Sequence, residues 1–418
     1  MEEWKQYRLG DIISISSGLA YKGEHLGKGD SFLLGMGCVS YTEQFLEKGM
    51  RKYDGAYDER YSLKAGDIVL ATRQQSDNLP ILGMPAIIPQ KFHNQKMVFG
   101  TNLYKVNLNS PDFSNSFLYW LLKTPNYIHH IKSCQTGTTV RMITKANIED
   151  YTFFCPEKSE REKICKFLWN IENKIALNRR INDNLEQQAQ TLFKSWLVDF
   201  DPFKNGKFVE SEMGMIPEGW KVISLQEYCQ EITRGNIPTY VEKSNRPILN
   251  QKVNKGVSLE KQYYKYNSEN VEVSISKMAH YGDVLLNSLG QGTLGRVHLY
   301  KEKLGNVIID QFITILRTNL FVKSAYLSYT LNRPEYQTII EGNVTGSTGM
   351  WVLTINNVRN IKIIVPKESC FLELAPIINS IYQAISNNTA EMEQLCTLRD
   401  CILPHLMSGE LKINDLNC

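Results

Sequence analysis

Apolar residues recur along two stretches of the chain at the spacing of a helix with one buried stripe. The first stretch begins at Ser159 and Glu162, which match a capping box at a helix start. Its stripe advances by three and four residues and includes two asparagines: Ile164, Leu168, Ile171, Ile175, Asn178, Asn182, Leu185, Ala189 and Leu192. Leu177 and Ile181 stand one position before the asparagines, which predicts that the apolar stripe bends aside to them.

A second stretch near the end of the chain repeats this pattern. Its stripe, in which an asparagine takes a core position, consists of Ile378, Ile381, Ile385, Asn388, Met392, Leu395 and Ile402. So narrow an apolar stripe needs a partner helix to cover it. We therefore predict that the two helices pair as an antiparallel coiled coil, with a globular domain at each end. In the register we expect, Asn178 faces Asn388. Ile164 then faces Ile402, because each isoleucine lies 14 residues from the asparagine of its own helix.

The segments outside these helices show a pattern that occurs twice in the same order. Short apolar and β-branched runs lie between glycines, asparagines and prolines, which is typical of a mixed α/β domain. The repeated motifs are Glu3-Trp4-Lys5 and Gly219-Trp220-Lys221, Ala65–Leu70 and Tyr281–Leu286, Thr136–Thr139 and Thr345–Thr348, and Pro156–Ser159 and Pro366–Ser369. The repeat predicts two tandem recognition domains of one α/β (mixed α+β) fold, each followed by a long helix. The boundaries we expect are 1–156 (first domain), 157–201 (central helix), 202–366 (linker and second domain) and 367–418 (last helix and tail).

Composition limits the class of protein. The 418 residues suffice for two or three domains, and 42% hydrophobic and 22% charged residues are ordinary for a globular protein. A net charge of +3 means that any DNA-binding surface is a local patch. No apolar run reaches the roughly 18 residues of a membrane span, and the first residues lack the basic-then-apolar order of a signal peptide. The nine cysteines, without a Cys-x-x-Cys pair, indicate reduced thiols in a cytoplasmic protein.

Motifs for catalysis are missing from the sequence. It contains no Gly-x-x-x-x-Gly-Lys-Ser/Thr phosphate loop, and residues 77–80 are a poor match to the Asn-Pro-Pro-Tyr motif of amino-methyltransferases. The adjacent His129 and His130 point to different faces of a helix, which favours surface residues over metal ligands. Asp199 and Asp201 form a carboxylate pair, but the proline that follows favours a helix end and a turn. We expect no catalytic residue and no metal site.

Polar loops remain as candidates for binding, and they lie at equivalent places in the two halves. One loop of each half follows the repeated Gly-Asp strand, and the other is the repeated Thr-Gly motif. Arginine and glutamine recognise guanine and adenine edges, whereas hydroxyls and glycine amides suit phosphate contacts. The candidate DNA-contact residues are Arg73, Gln74, Gln75, Thr138, Thr139, Arg141, Ser288, Gln291, Thr293, Arg296, Ser347 and Thr348. On sequence grounds the alternative of ordinary polar turns stays open.

Several longer strings resemble one known family, the specificity subunits of type I restriction-modification systems. LEQQAQTLFKSW at 185–196 and VDFDPF at 198–203 resemble the end of the family's central helix. MGMIPEGW at 213–220 resembles the start of its second recognition domain. LRDCILPHLMSGEL at 398–411 resembles the end of its last helix. The strings occur in the family's order, and the resemblance covers the whole chain in architecture.

The resemblance implies that each of two target recognition domains reads one half of a bipartite site in double-stranded DNA. It implies that the helices set the gap and dock two methyltransferase (modification) subunits, which restriction/translocase subunits join. It also implies a non-catalytic chain that binds no cofactor, because S-adenosylmethionine, ATP and Mg²⁺ belong to the partner subunits. The family's recognition loops vary, so it assigns no DNA-contact residue to this sequence.

The predicted length of the first helix gives an estimate of the spacing along DNA. From Ile164 to Leu192 there are 29 residues, roughly 43 Å of helix, which along B-DNA is about 13 base pairs.

Two alternative functions stay open on the sequence. The first alternative is a self-sufficient nuclease or methyltransferase with an unrecognised site. The second is a coiled-coil scaffold that binds proteins only, or a coiled-coil scaffold or DNA-binding protein of another defence assembly.

Overall fold

The chain folds into two compact units. A computed structural model describes residues 4–75, 80–302, 307–346 and 351–413. Unit 1 consists of Met1–Lys174 with Leu395–Cys418, and unit 2 of Ile175–Gln394. The boundaries fall inside two long helices, so each unit contains one mixed α/β domain and a part of each helix. This is the fold class that the sequence predicts.

The domain of unit 1 is built from short elements. Its strands are β1 (Lys5–Arg8), β2 (Ile13–Ser17), β3 (Leu26–Leu34), β4 (Met50–Tyr53), β5 (Ser62–Leu63), β6 (Ile68–Ala71), β7 (Arg73–Gln74), β8 (Pro85–Ile87), β9 (Lys96–Phe99), β10 (Leu103–Leu108), β11 (Arg141–Met142) and β12 (Thr152–Cys155). Its helices are α1 (Leu9–Ile12), α2 (Asn115–Leu121), α3 (Pro125–Cys134), α4 (Lys145–Glu149) and the start of α5 (Lys158–Leu197). Thr124 caps α3 and is followed by a proline at the first helical position, and Thr144 and Asn147 form a capping box at α4.

Two sheets form the frame of this domain. The first has the strand order β2-β10-β6-β8 and is antiparallel throughout. The second has the order β4-β3-β9-β5 and contains one parallel pair, β3 with β9. Strand β1 pairs with β12, which brings the beginning and the end of the domain together. Buried side chains from both sheets, among them Val69, Ala71 and Phe99, form the core.

The domain of unit 2 repeats this plan. Its strands are β13 (Phe208–Ser211), β14 (Gly214–Pro217), β15 (Lys221–Ser224), β16 (Glu231–Arg234), β17 (Tyr240–Val241), β18 (Pro247–Leu249), β19 (Lys265–Asn267), β20 (Val284–Asn287), β21 (Val297–Leu299), β22 (Ile308–Ile309), β23 (Ile313–Arg317) and β24 (Lys362–Val365). Its helices are α6 (Leu225–Tyr228), α7 (Phe321–Leu331), α8 (Pro334–Gly342), α9 (Ile355–Asn360) and the start of α10 (Glu368–Ser408).

The main sheets of the two units correspond strand by strand, and the second sheets share one parallel pair. The order β16-β23-β20-β21 matches β2-β10-β6-β8, and the parallel pair β18–β22 matches β3–β9. The pair β15–β24 closes the second domain as β1–β12 closes the first. The predicted tandem repeat is therefore confirmed at the level of topology.

Two glycines, one in each unit, permit a close backbone approach that the sequence analysis did not identify. A Cβ on Gly18 would lie 2.1 Å from the carbonyl oxygen of Gly100. A Cβ on Gly235 would lie 2.2 Å from that of Asp310. Since carbon and oxygen cannot approach so closely, both positions require glycine.

In unit 1 the beginning of α5 lies against the end of α10. The predicted stripe residues Ile164, Leu168 and Ile171 are buried, as is Ile402. Beside them the Arg399 guanidinium donates to a Glu172 carboxylate oxygen at 2.7 Å, and both side chains are more than nine-tenths buried.

In unit 2 the same two helices contact each other through polar side chains. The Asn178 side-chain amide donates to the Glu391 carboxylate at 2.7 Å, and the Asn388 side-chain amide donates to the side-chain oxygen of Asn182 at 2.9 Å. Nearer the end of α5, the Tyr382 hydroxyl donates to Glu186 at 3.1 Å. Partner numbers fall on α10 as they rise on α5, so the helices run in opposite directions here. Supercoiling of the pair stays a prediction.

The predicted register is wrong by about one helical turn. Asn388 hydrogen-bonds Asn182 rather than Asn178, which has the Glu391 carboxylate as its partner instead. The physical reason is that a carboxylate is a stronger acceptor for a buried amide than a second amide. Matching the two asparagines by sequence alone ignored this third residue.

The stripe also does not bend aside at the asparagines. Ile181 is 39% exposed and Leu177 46% exposed, so our assignment of Ile181 to the helix contact is corrected. The asparagines keep the inward positions because α10 satisfies their hydrogen bonds. The other predicted members are buried or half-buried: Ile175, Leu185, Leu192, Ile378, Ile381, Ile385, Met392 and Leu395.

Each unit contains the C-terminal end of one long helix, and each end contacts a tryptophan of the repeated motif. In unit 2, α5 ends before Phe200, a left-handed residue (φ 54°) whose ring lies 5.2 Å from that of Trp220. In unit 1, α10 ends at Gly409 (φ 79°), where a Cβ would lie 2.7 Å from the Trp4 ring. The expected turn at residues 199–202 is confirmed.

Candidate nucleic-acid interface

In unit 1 the two candidate loops lie side by side. Strand β7 pairs antiparallel with β11, so that Arg73 is opposite Met142 and Gln74 is opposite Arg141. Thr136 of the Thr-Gly motif exchanges amide hydrogen bonds with Met142, at 3.0 and 2.8 Å. Sequence analysis identified both loops but not that they adjoin.

The local sequence explains the shape of the Thr-Gly loop. Gly137 has φ 91°, and a Cβ there would lie 2.2 Å from the carbonyl oxygen of Val140. The loop is held between the end of α3 and the capped start of α4. Thr138 and Thr139 are consequently exposed at its tip, where their hydroxyls can contact a ligand.

Side chains of the β7–β11 pair divide between two faces. Directly opposite residues share a face, and Arg73 and Met142 are exposed whereas Gln74 is buried and Arg141 half-buried. The Gln74 side-chain oxygen accepts the Leu82 amide at 3.3 Å, so the prediction that Gln74 contacts DNA is corrected. Gln75 is exposed beyond the strand.

Arg73 also exerts an electrostatic effect on its surroundings. Burial raises the pKa of the Tyr104 hydroxyl, and the positive charge of Arg73 opposes this increase. The Tyr104 hydroxyl donates to the Ile143 carbonyl at 3.5 Å. The guanidinium therefore lies near the base of the paired loops, where it is available to an anionic or acceptor-rich ligand.

Unit 2 reproduces the backbone of this site. Leu289 and Val352 form an antiparallel bridge, and Thr345 exchanges amide hydrogen bonds with Val352, both at 2.9 Å. The Leu353 amide donates to the Ser288 carbonyl at 2.9 Å, as the Ile143 amide of unit 1 donates to the carbonyl of Thr72 at 3.3 Å. The four sequence-predicted loops thus form one pair in each unit.

A buried amide network braces the loop that follows β20. The Asn254 side chain donates to the Asn287 side-chain oxygen at 3.0 Å, and Asn287 donates to the Thr293 carbonyl at 3.1 Å. Arg296 donates to the carbonyl oxygens of Asn254 (3.3 Å) and Gly292 (2.8 Å). In this structure Arg296 therefore holds the loop in place.

The other candidates in unit 2 differ in accessibility. Ser288 is fully buried and shares a 2.6 Å hydrogen bond with Thr314, so its predicted DNA contact is corrected. Thr293 is half-buried with its hydroxyl directed to backbone carbonyls, whereas Gln291 is exposed. Ser347 and Thr348 lie outside the described residues.

Comparisons with known proteins find one family to which this chain is similar. The model of the type I restriction modification DNA specificity domain matches residues 1–187. The MjaIX specificity subunit of Methanocaldococcus jannaschii is 23% identical, covering 99% of this chain and 95% of that protein. The HindI specificity subunit of Haemophilus influenzae is 22% identical, covering 98% and 100%. A solved type I restriction-modification S subunit from M. genitalium has a similar fold, with TM-score 0.50, 13% identity and coverage of 97% and 96%. The chain is therefore similar along its whole length to type I restriction-modification specificity subunits.

The two domains of this chain carry different chemistry on one backbone frame. Around the β7–β11 pair the first domain has two arginines, Arg73 and Arg141. Around the equivalent bridge the second domain has Leu289, Gly290, Trp351 and Val352, none of which is charged. The sequence does not single out Trp351, because aligning the Thr-Gly motifs places Met350 at the position of Arg141, and only the bridges of Met142 and Val352 make Trp351 the equivalent residue.

Within the described residues, no three His, Cys, Asp or Glu side chains are arranged to hold a metal ion. Among the same residues, no helix is both long and apolar enough to cross a membrane.

Proposed function

We propose that this chain is a type I restriction-modification specificity subunit that reads a bipartite DNA sequence, one half-site with each domain. The supporting observation is that two copies of one fold present the same pair of loops, with different side chains at equivalent positions. Equal backbones suit the same duplex geometry, and different side chains suit different bases.

Contacts in the first half-site follow from the accessible groups. The exposed Thr138 and Thr139 hydroxyls suit phosphate oxygens, which position the domain without reading sequence. Arg73 and Arg141 carry forked guanidinium groups, which suit the paired acceptors of guanine in the major groove. In the second domain the exposed Gln291 side chain would contact the DNA of the second half-site.

The long helices would fix the gap between the half-sites and dock two methyltransferase subunits. The helical segment from Ile164 to Leu192 is roughly 43 Å long, which along B-DNA equals about 13 base pairs. Leu177 and Ile181 leave apolar side chains exposed on α5, and an exposed apolar stripe of this kind is typical of a partner interface. The subunit itself would be non-catalytic, with S-adenosylmethionine, ATP and Mg²⁺ bound by the methyltransferase and restriction/translocase subunits.

The first test maps methylated bases in a host with and without this gene, in the presence of its methyltransferase subunit. The expected result is loss of one bipartite motif with a fixed gap. A lost motif that is short and continuous would overturn the two-domain proposal.

Spacing is tested on purified complex with targets whose gap is lengthened or shortened by one base pair. Affinity should fall at every other gap length and should decrease with salt, because phosphate contacts release counterions. Binding that ignores gap length would refute the role of the helices. Absence of any salt-dependent DNA binding would favour a protein scaffold.

A further inference from the structure

Trp351 occupies the place that Arg141 has in the first domain. Met142 and Val352 are equivalent, because each exchanges amide hydrogen bonds with the threonine of its own Thr-Gly motif. The residue before each is therefore at one position of a shared frame. The chain presents a cation there in one domain and an indole ring in the other.

The Trp351 side chain is open to solvent, and the guanidinium of Arg234 is engaged two residues farther along the chain, where it donates to the Leu353 carbonyl. The indole is 50% exposed. Gly290, next to the Leu289–Val352 bridge, has no side chain that could cover it. Arg296, the arginine of the preceding loop, donates to backbone carbonyls instead. A ligand at this place therefore meets an aromatic surface without a neighbouring fixed charge from that loop.

Such a surface selects a particular kind of base edge. Guanine, adenine and cytosine present only hydrogen-bonding groups at the major-groove edge that distinguishes them, whereas thymine adds a C5-methyl group. An indole gains most from contact with that methyl group, since burial of both removes apolar area from water. The two hydrogen bonds between the Thr345 and Val352 backbones fix the chain beside Trp351 before binding, which lowers the entropic cost of the contact.

We propose that Trp351 is a specificity-determining residue of the second domain and packs against the C5-methyl group of a thymine in the second half-site. The proposal rests on the proposed function of bipartite DNA reading. It makes the two domains chemically distinct: guanidinium to acceptor groups in the first, and indole to methyl in the second.

Deoxyuridine tests the contact, because it differs from thymidine only by the missing methyl group. The complex of this subunit with its methyltransferase subunits is titrated with its mapped target, in which each thymine of the second half-site is replaced in turn. At one position the wild-type affinity should fall roughly tenfold. Trp351→Ala should lower affinity for the unmodified target by a similar factor and should not respond to deoxyuridine at that position.

Two control variants separate this contact from general effects. Trp351→Phe keeps an aromatic ring and should retain most of the discrimination. Met215→Ala removes another exposed apolar side chain of unit 2, on the β13–β14 hairpin, and should bind as the wild type does. The salt dependence of Trp351→Ala should equal that of the wild type, since no phosphate contact is lost.

Three outcomes would overturn the proposal while leaving bipartite recognition intact. The second half-site contains no thymine, or the wild-type complex binds every deoxyuridine target as tightly as the unmodified target. In the third outcome, the binding free energies lost through Trp351→Ala and through deoxyuridine are additive, which would mean that the two changes affect different contacts. A wild-type complex with no preference for any bipartite target would instead refute the proposed function, and the role of Trp351 with it.

Discussion

The recognition loops of the two domains share their backbone and differ in their side chains. The Ile143 amide meets the Thr72 carbonyl in the first domain, and the Leu353 amide meets that of Ser288 in the second. These bonds involve only main-chain atoms, so they survive any change of side chain. The comparison shows how one fold can present two chemistries: the frame is held by the backbone, and the exposed positions are free to change.

The contacts between α5 and α10 also differ between the two units. Unit 1 has a buried ion pair, Glu172 with Arg399, whereas unit 2 has an amide layer that includes Asn182 and Asn388. A buried charge pair is costly to break, while neutral amides lose less when a partner is removed. The two units should therefore respond unequally to substitutions along the helices.

Removal of the Arg399 guanidinium should have the largest effect. Arg399→Ala leaves the Glu172 carboxylate buried without its partner, so the free energy of unfolding of unit 1 should fall by about 3–5 kcal/mol. Denaturant unfolding of the full chain measures this loss. The double variant Glu172→Met with Arg399→Met should recover most of it, because an apolar pair has no charge to desolvate. A single-variant loss below about 1 kcal/mol would contradict a dry ion pair.

The close approach of a glycine to a backbone carbonyl occurs in both units, so the two units should respond alike when that glycine is replaced. Gly18→Ala and Gly235→Ala each force a methyl group onto a carbonyl oxygen, and each should cost about 1–3 kcal/mol of stability. Thermal unfolding checks both. Gly23→Ala is the matched control, since a Cβ there would meet nothing within 4 Å. A large effect in only one unit would argue against the equivalence of the two frames.

The amide network should matter to the second half-site only. Asn254→Ala removes the donor to Asn287 and leaves buried acceptors unpaired, at a cost of about 1–2 kcal/mol. We expect faster hydrogen exchange of the Gly256 and Gly295 amides and weaker binding to the second half-site. Gln291→Ala, on the surface of the same loop, should leave exchange unchanged. Equal weakening at both half-sites would show that the network does not act locally.

The smallest expected effect concerns pH. Burial lowers the pKa of Lys123 to about 8, whereas in the unfolded chain it is about 10.4. Between these values the unfolded chain binds a proton that the folded chain does not, so this lysine makes stability rise with pH. Burial raises the pKa of Cys165 to about 11, which has the opposite sign, so only a comparison of variants isolates the lysine.

Lys123→Asn supplies that comparison, because unit 2 has Asn332 at the equivalent position, with its amide donating to the Val297 carbonyl at 3.1 Å. The melting temperature of the variant minus that of the wild type should decrease from about pH 7.5 to about pH 10. A difference that is independent of pH would show that Lys123 keeps its ordinary pKa in the folded protein.

The sequence predicted features that depend on short stretches of chain. Helical spacing located α5 and α10, and repeated motifs located both pairs of loops. Errors arose where distant residues decide. Gln74 belongs to a polar loop by sequence, yet the amide of Leu82 holds it inside. Gly18 and Gly235 could have been found by aligning the two repeats, since each follows the first strand of its main sheet.

The two helices, the duplication and the candidate loops follow from the sequence, because periodicity and turn residues act over a few positions. The accessibility of the loop side chains and the pairing of residues between α5 and α10 depend on the folded chain. Asn178 is paired with Glu391 and Asn182 with Asn388, more than 200 positions away in each case. The choice of hydrogen-bond partner among such distant groups depends on their positions in three dimensions, and helical periodicity does not predict those positions.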